Sequence, residues 1–304
     1  MIEVSELTKR YGERTAVDGL SFTVRPGRVT GFLGPNGAGK STTMRLILGL
    51  DAPTSGAVWL GGRRYRELAA PLRVVGSLLD AKGVHGGRSA YAHLAGLAAS
   101  NGIPRRRVDE VLTTVGLDPA TARRRTRGFS LGMGQRLGIA SALLGDPEVL
   151  LLDEPVNGLD TEGIRWIRGL MRSLAAEGRT VLLSSHLMSE MELTADHLIV
   201  IGRGRLLADT GMREFIESNS RVRTLVRTPE AERMRDVLAA AGATVRLDAR
   251  GGWLVEGLDA ATIGELAREH RLALHELAPR HSSLEDIYSA MAAPAAEYRA
   301  EVAR

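Results

Sequence analysis

One glycine-rich segment has residue types whose spacing suits the binding of a phosphate chain. Residues 34–41 read GPNGAGKS and fit the pattern G-x-x-x-x-G-K-[ST] at every fixed position. Such glycines let the backbone turn tightly, so that its N–H groups point at phosphate oxygens. The lysine ammonium would neutralise the outer phosphates, and the serine hydroxyl would bind Mg²⁺. The predicted phosphate-binding residues are Gly34, Pro35, Asn36, Gly37, Ala38, Gly39, Lys40, Ser41 and Thr42.

A second set of chemical groups is a pair of carboxylates at the end of an apolar run. Residues 149–154 read VLLLDE, a pattern typical of a buried strand that ends in two acids. Ligands of open α/β sheets bind beyond the carboxyl ends of the strands. Asp153 would therefore hold Mg²⁺, through water, and Glu154 would polarise the attacking water. The alternative is an ordinary strand that leaves the core through two solvated acids, and the phosphate loop upstream weighs against it.

The elements that must position these groups can be read from the same sequence. Short apolar runs at 29–33, 149–152 and 180–183 predict buried parallel strands. A helical pattern follows Lys40, which gives the strand–loop–helix setting that a phosphate loop requires, whereas a chance match in a glycine-rich loop would lack it. A further helical pattern at about 85–146 predicts a helical subdomain inserted into an α/β core. We expect this first domain to span residues 1–215.

The sequence changes character after about residue 220. Strand patterns at 221–228, 244–247, 253–255 and 272–277 alternate with helical patterns at 231–241 and 260–269. This β-α-β-β-α-β order predicts a small α+β accessory domain at 220–292, of ferredoxin-like type. A further amphipathic helix is expected at 282–291, and residues 293–304 are expected to be a tail. Because this segment has no chemical constellation, we expect an interaction or dimerisation module rather than a second active site.

The segment 129–136 reads FSLGMGQR and resembles the LSGGQ signature of ATP-binding-cassette (ABC) proteins. Other family motifs follow in order along residues 1–215: a D-loop at Gly158-Leu159-Asp160, and a histidine, His186, after a strand end. The resemblance implies a P-loop NTPase fold, namely an ABC nucleotide-binding domain, with ATP and Mg²⁺ as its ligands. It also implies a dimer of two copies, in which the signature helix of one copy faces the γ-phosphate bound by the other.

The resemblance assigns roles to individual residues. Tyr11 would stack on adenine, and His186 would contact the γ-phosphate. Ser130 and Gly132 would open the signature helix towards the second copy's ATP, where a helix N-terminus attracts anions. Asp160 would lie beside the nucleotide in the dimer. The expected catalytic residues are Lys40, Glu154 and His186.

The chain also departs from the family pattern. The signature has Leu131 where glycine is usual and Met133 where glutamine is usual. A leucine at that position would crowd the approach to phosphate. Where the family has a glutamine in its Q-loop, residues 76–80 read GSLLD, so Asp80 would order water or Mg²⁺ with a shorter, charged side chain. The expected metal-binding residues are Ser41, Asp153 and Asp80.

The variant motifs resemble those of the ATP-binding subunits of daunorubicin- and bacitracin-resistance exporters. This resemblance implies an ATPase that drives a separate, integral membrane permease and exports drug, antibiotic or lipid-like cargo. The alternative is a soluble ABC ATPase of the translation or DNA-repair class. Translation factors of this type carry two cassettes, and repair clamps carry a long heptad insertion; this chain has neither. A phosphate-loop kinase or GTPase would have no use for the signature segment.

Composition limits the other classes of function. The 40 basic residues nearly balance the 36 acidic ones, and aromatic residues make up only 4% of the chain, so we expect no nucleic-acid partner. Arginine runs at 105–107 and 123–125 read as solvated helix faces, or as a surface near anionic headgroups. The chain has no cysteine, which excludes disulfides and thiolate metal sites. No apolar run is long enough to span a bilayer, so any membrane role must come through a partner or the surface. The resemblance to transporter subunits implies a cytoplasmic protein that is peripheral on the inner face of the cell membrane.

Overall fold

The apolar runs beside the candidate site residues form the centre of a six-stranded sheet in the computed structural model. That structure describes residues 1–80, 83–219, 223–248, 251–280, 284–285 and 287–288. The strands up to residue 211 are β1 (Ile2–Tyr11), β2 (Arg14–Val24), β3 (Val29–Leu33), β4 (Ser55–Leu60), β5 (Val75–Leu78), β6 (Val149–Asp153), β7 (Thr180–Ser184), β8 (His197–Gly202) and β9 (Arg205–Gly211). The sheet has the order β5-β6-β7-β3-β8-β9; β8 and β9 pair antiparallel, and the other four pairs are parallel.

The parallel strands are buried on both faces, as their unbroken apolar sequences predict. Every residue of β3, β7 and β8 is buried. Register pairs Asp153 of β6 and Phe32 of β3 with the same residue of β7, Ser184. The carboxyl ends of these three adjacent strands therefore meet at one edge of the sheet, and this edge carries the phosphate loop, the two acids and His186.

Helices surround this sheet and form the predicted insertion. In chain order they are α1 (Lys40–Ile47), α2 (Pro71–Val74), α3 (Ala90–Ser100), α4 (Arg106–Thr114), α5 (Pro119–Arg123), α6 (Leu131–Leu143), α7 (Thr161–Ala176) and α8 (Met188–Thr194). Helices α3 to α6 lie between β5 and β6 in the chain. The Ser89, Asp118 and Ser130 side chains cap α3, α5 and α6 by accepting hydrogen bonds from first-turn N–H groups.

A second, antiparallel sheet of order β2-β1-β4 belongs to the same unit. It packs its apolar face on the central sheet, and the rings of Phe22 in β2 and Phe32 in β3 lie 5.6 Å apart. Among the described residues, no helix combines the length and the apolar character needed to cross a membrane.

The chain divides into a compact unit at Met1–Met212 and a second that begins at Arg213. Helix α9 (Met212–Asn219) is followed by β10 (Arg223–Arg227), α10 (Ala231–Ala240), β11 (Thr244–Leu247), β12 (Trp253–Glu256), α11 (Ala260–Glu269) and β13 (Glu276–Arg280). The second unit therefore has the β-α-β-β-α-β order expected from the sequence. Its antiparallel sheet has the order β11-β12-β10-β13, and α10 and α11 cover an apolar core that includes Val226, Met234 and Ile263.

The last strand exists but is displaced from the expected bounds of 272–277, because β13 begins only at Glu276. Arg271 takes a left-handed conformation, with φ of 54°. The N–H of Leu272 then donates to the carbonyl of Ala267, and the Leu272 side chain joins the core. These contacts close α11, so the apolar leucine ends a helix instead of starting a strand. The helix expected at 282–291 and the tail at 293–304 lie largely or wholly outside the described residues.

Candidate functional site

The phosphate loop connects β3 to α1 as the sequence predicts. Lys40, the first residue of α1, donates from Nζ to the carbonyl oxygens of Gly34, at 2.6 Å, and Pro35, at 3.2 Å. Gly39 has φ of 105°, and a Cβ atom there would lie 2.5 Å from the carbonyl oxygen of Ala16. A side chain at residue 39 would therefore be strained by its backbone and would collide with β2. The loop conformation depends on glycine at this position.

The Lys40 ammonium lies in a partly desolvated position beside both acids. Burial lowers its pKa, and the negative charges of Glu154 and Asp153 act in the opposite direction. An anionic phosphate placed next to this group would likewise favour its charged form. The local electrostatics therefore suit a phosphate group that is neutralised by Lys40.

Asp153 and two hydroxyl groups form the acidic side of the site. Ser41 Oγ donates to Asp153 Oδ2 at 2.9 Å, and Ser184 Oγ donates to Asp153 Oδ1. Mg²⁺ prefers oxygen ligands and is usually bound by one or two carboxylates together with substrate phosphates. The described residues contain no group of three or more His, Cys, Asp and Glu side chains that could hold a metal by themselves. The oxygens of Ser41 and Asp153 fit a Mg²⁺ ion that takes its remaining ligands from phosphate and water.

Glu154 has an unusual backbone conformation and several hydrogen-bond partners. Its φ is 51°, in the left-handed region that non-glycine residues seldom occupy. Its N–H donates to Ser184 Oγ at 3.1 Å, and its carbonyl accepts from Gln135 Nε2 at 3.0 Å. Its carboxylate Oε2 lies 2.7 Å from His186 Nδ1. Two of the three predicted catalytic side chains, Glu154 and His186, are therefore in direct contact.

A cleft of about 480 Å³ opens over the phosphate loop. It is lined by Tyr11, Arg14, Ala16, Asn36, Gly37, Gly39, Lys40, Ser41, Thr42, Asp153 and Glu154. Gly34 and Ala38 are buried beneath it, and Pro35 supplies a carbonyl to Lys40. The sequence analysis missed Arg14, because a lone arginine in a strand carries no motif.

Tyr11 lies at the rim of this cleft with its ring about half exposed. Its hydroxyl donates to Asp51 Oδ2 at 3.0 Å, and Lys9 Nζ lies 4.9 Å from the ring centroid. The Arg45 guanidinium, with a smaller contribution from Tyr11, lowers the pKa of Asp51 to about 2. These contacts fix an aromatic platform next to the phosphate loop.

The signature segment forms the start of α6. Ser130 is its N-cap, with Oγ accepting from Met133 N–H at 3.2 Å. Leu131 remains 53% exposed, and its side chain lies against Gly158, where a Cβ atom would collide with it. A Cβ atom on Gly132 would lie 2.8 Å from the Gly158 carbonyl oxygen. The leucine expected to crowd the phosphate approach thus packs on its own chain's loop after Glu154.

The remaining predicted residues do not line the cleft. Asp160 caps α7 by accepting from Gly163 N–H at 2.8 Å. Asp80 is exposed and follows β5, the edge strand next to β6. Ser130, Gly132 and Asp160 lie at the N-terminal ends of α6 and α7 rather than in the phosphate loop's cleft. Within a single chain, the structure brings Lys40, Ser41, Asp153, Glu154 and His186 together.

Comparison with known proteins agrees with this geometry. The family model described as "ABC transporter" matches residues 17–157, and a model for a domain of unknown function matches residues 222–285. A bacitracin transport ATP-binding protein from Bacillus licheniformis is 45% identical over 212 residues, which cover 69% of this chain and 69% of that protein. A lantibiotic transport ATP-binding protein from Streptococcus pyogenes is 37% identical over 69% of this chain and 90% of its own length.

A solved structure of an ATP-binding subunit of an ABC transporter has a similar fold. It superposes with a TM-score of 0.66 at 27% identity and covers 72% of this chain and 92% of that chain.

Proposed function

The chain belongs to the ABC transporter family, and we propose that it is the ATP-binding and ATP-hydrolysing subunit of an exporter that drives a separate membrane permease. The observation that carries this proposal is the cleft in which the Lys40 loop faces Asp153 and Glu154. It lies in a chain that is 45% identical, over 212 residues, to a bacitracin transport ATP-binding protein. We infer that residues 1–215 are the ATP-binding domain and residues 220–292 an accessory domain. We further propose a cytoplasmic location, peripheral on the inner face of the cell membrane.

Each residue of the site has its own role in the transfer of the γ-phosphoryl group to water. Loop N–H groups and Lys40 hold the β- and γ-phosphates, and Tyr11 supports adenine. Ser41 and Asp153 would be the protein ligands for Mg²⁺, which when bound would supply charge neutralisation at the phosphates. Glu154 accepts a hydrogen bond from the attacking water and orients it. His186, held against Glu154, is placed to contact the γ-phosphate. Catalysis of this kind rests on positioning and electrostatics rather than on a covalent intermediate.

A complete site requires a second copy of the chain. Ser130, Gly132 and Asp160 do not line the cleft of their own chain, yet they lie at helix N-termini, which attract anions. We propose that they face the ATP bound by the second copy, so that two nucleotides hold a head-to-tail dimer together. Because ATP would bind across the closed dimer and its hydrolysis products would not bridge it, turnover shifts the population between closed and open states.

Purification from membranes tests the transporter assignment against its alternative. We expect the chain to co-purify in fixed stoichiometry with an integral membrane protein of several helices, and its ATPase rate to change when that protein is reconstituted in vesicles. Co-sedimentation with ribosomes, without any membrane partner, would instead indicate the soluble class of ABC ATPases.

The relatives' names favour a peptide antibiotic as cargo, among drug, antibiotic and lipid-like molecules. Susceptibility of cells with and without the gene to such compounds checks the cargo.

Replacing Ser130 with arginine is expected to prevent ATP-dependent dimerisation and to abolish turnover. The long cationic side chain would occupy the space in which the second copy's nucleotide is proposed to lie. ATP binding to the single chain should be unchanged, because Ser130 is outside its own cleft. Size-exclusion chromatography and ATP titration measure both properties. Normal dimerisation by Ser130→Arg would rule out the sandwich.

Replacing Tyr11 with alanine is expected to weaken ATP binding by about 5- to 150-fold, because stacking of a base on an aromatic ring contributes about 1–3 kcal/mol. Tyr11→Phe is the matched control: it keeps the ring and loses only the hydrogen bond to Asp51. Isothermal titration with ATP and with inorganic triphosphate separates base stacking from phosphate binding. If Tyr11→Ala weakened both ligands equally, Tyr11 would have no role in holding adenine.

A further inference from the structure

The peptide groups of Glu154 are held by side chains from two separate elements. Its N–H donates to Ser184 Oγ, at the end of β7, and its carbonyl accepts from Gln135 Nε2, in α6. This backbone lies in a sparsely populated left-handed conformation, with φ of 51°. Such a conformation persists only where surrounding contacts enforce it, and conformations of this kind cluster at catalytic sites. The position of the Glu154 carboxylate therefore depends on both partners.

Gln135 has the properties of a residue kept for its hydrogen bond. It is 3% exposed, and few other polar side chains in the described part of the chain are so deeply buried. A buried amide without a partner is costly, so the donor and the Glu154 carbonyl hold each other firmly. In contrast to Ser184, Gln135 is located on α6, five residues after the Ser130 cap.

Helix α6 thus connects two nucleotide sites of the proposed dimer: the site of the second copy and the site of its own copy. Its N-terminus, at Ser130, faces the ATP of the second copy in that proposal. Its second turn, at Gln135, contacts the catalytic glutamate of its own copy. A helix is rigid over this short distance, and the packing of Gly132 and Leu131 on Gly158 joins the same helix to the loop that follows Glu154. A shift of α6 would move the peptide group that orients the Glu154 carboxylate.

We propose that Gln135 is a positioning residue that couples engagement of the signature helix to the alignment of Glu154 in the same chain. The proposal rests on the proposed nucleotide-sandwich function and deepens it. The bond is already formed in the single chain, so a displacement of α6 by the partner's bound nucleotide would be transmitted to the Glu154 peptide group. Hydrolysis in one site is thereby linked to closure at the other.

Two variants of Gln135 and one control test this coupling. Gln135→Met keeps the length and removes the donor, and Gln135→Glu keeps the shape and, when ionised, cannot donate to a carbonyl. Ser141→Ala is the matched control, because its hydroxyl donates to Leu137 within α6 and does not reach Glu154. For each single variant we would measure kcat and the KM for ATP. For the double variant Gln135→Met, Glu154→Gln we would measure ATP-dependent dimerisation.

We expect kcat of Gln135→Met to fall by on the order of 10²-fold, the usual cost of misplacing a reacting group by about 1 Å. The KM for ATP should change by less than about threefold, because the variant still binds ATP and still forms the dimer. The Gln135→Met, Glu154→Gln chain should still dimerise with ATP, and Ser141→Ala should match the unmodified chain. Gln135→Glu should show the same loss of kcat, which would assign the effect to the missing hydrogen-bond donor. If Gln135→Met does not fold, the kcat of Gln135→Glu tests the proposal in its place.

Two results would overturn the coupling. An unchanged kcat in a folded Gln135 variant would show that the bond does not position Glu154. Loss of ATP-dependent dimerisation in the double variant would show that Gln135 only maintains the signature helix. Failure of the unmodified chain to hydrolyse ATP, or of Glu154→Gln alone to dimerise, would instead contradict the proposed function itself.

Discussion

Glu154→Gln is expected to lower ATP hydrolysis by about 10²–10⁴-fold, the range that a general base contributes. An amide keeps the size of the carboxylate but is a far weaker acceptor for the proton of the attacking water. The contacts of the Glu154 backbone with Ser184 and Gln135 do not involve the side chain, so the fold should persist. ATP binding should be retained, and the bound, unhydrolysed nucleotide should trap the dimer.

The measurement combines single-turnover hydrolysis with the oligomeric state in ATP and in ADP. Glu177→Gln is the matched control: it makes the same chemical change at the end of α7, where Glu177 pairs with Arg179 away from the cleft. A Glu154→Gln chain that remained monomeric and hydrolysed ATP at the normal rate would remove Glu154 from the proposed chemistry.

Lys40→Ala is expected to weaken ATP binding by at least about 10-fold and up to about 150-fold. The ammonium makes charge-assisted hydrogen bonds with the phosphates, each contributing about 1.5–3 kcal/mol. The change also removes the donor that contacts the Gly34 and Pro35 carbonyls, so the loop loses an internal restraint. Turnover should be lost with binding.

Equilibrium binding of a fluorescent ATP analogue measures this effect, and thermal unfolding checks that the fold survives. Arg268→Ala is the charge control, since it removes one positive charge from α11 in the second unit. If Lys40→Ala bound ATP as tightly as the unmodified chain, the phosphate loop would not be the nucleotide site.

Much of the site could be predicted from sequence because its chemistry comes from short, contiguous motifs. The loop from Gly34 to Ser41 and the pair Asp153-Glu154 each combine a buried strand with residue types suited to phosphate and Mg²⁺. The fold class followed from the same strands, and the similarity to ABC transporter proteins confirms it. Ser130 was predicted as a helix cap, and the structure places it there.

The residues that were missed act through contacts between distant segments. Gln135 and Glu154 are separated by 19 positions, and Ser184 and Asp153 by 31, so no local pattern joins them. Their pairing depends on the packing of α6 and on the register of β6 with β7. Sequence periodicity does not specify such contacts.

The three-stranded sheet was missed for a different reason. Strand β1 contains a register shift between Val4 and Leu7, at which Glu6 takes φ of 47°. Such a bulge inserts an extra residue and breaks the alternation of apolar and polar positions. Without regular alternation, the segment from Ile2 to Tyr11 has no clear strand pattern, although it pairs with two neighbours.

The hydroxyl of Ser184 touches both acids at once, donating to Asp153 and accepting from the N–H of Glu154. One hydroxyl group is therefore a hydrogen-bond partner shared by the cation ligand and by the residue that orients the attacking water. Neither acid can drift without disturbing the other, so a half-assembled reaction centre is disfavoured. The geometry of a single serine thereby sets the cation ligand and the water-orienting carboxylate in register with each other.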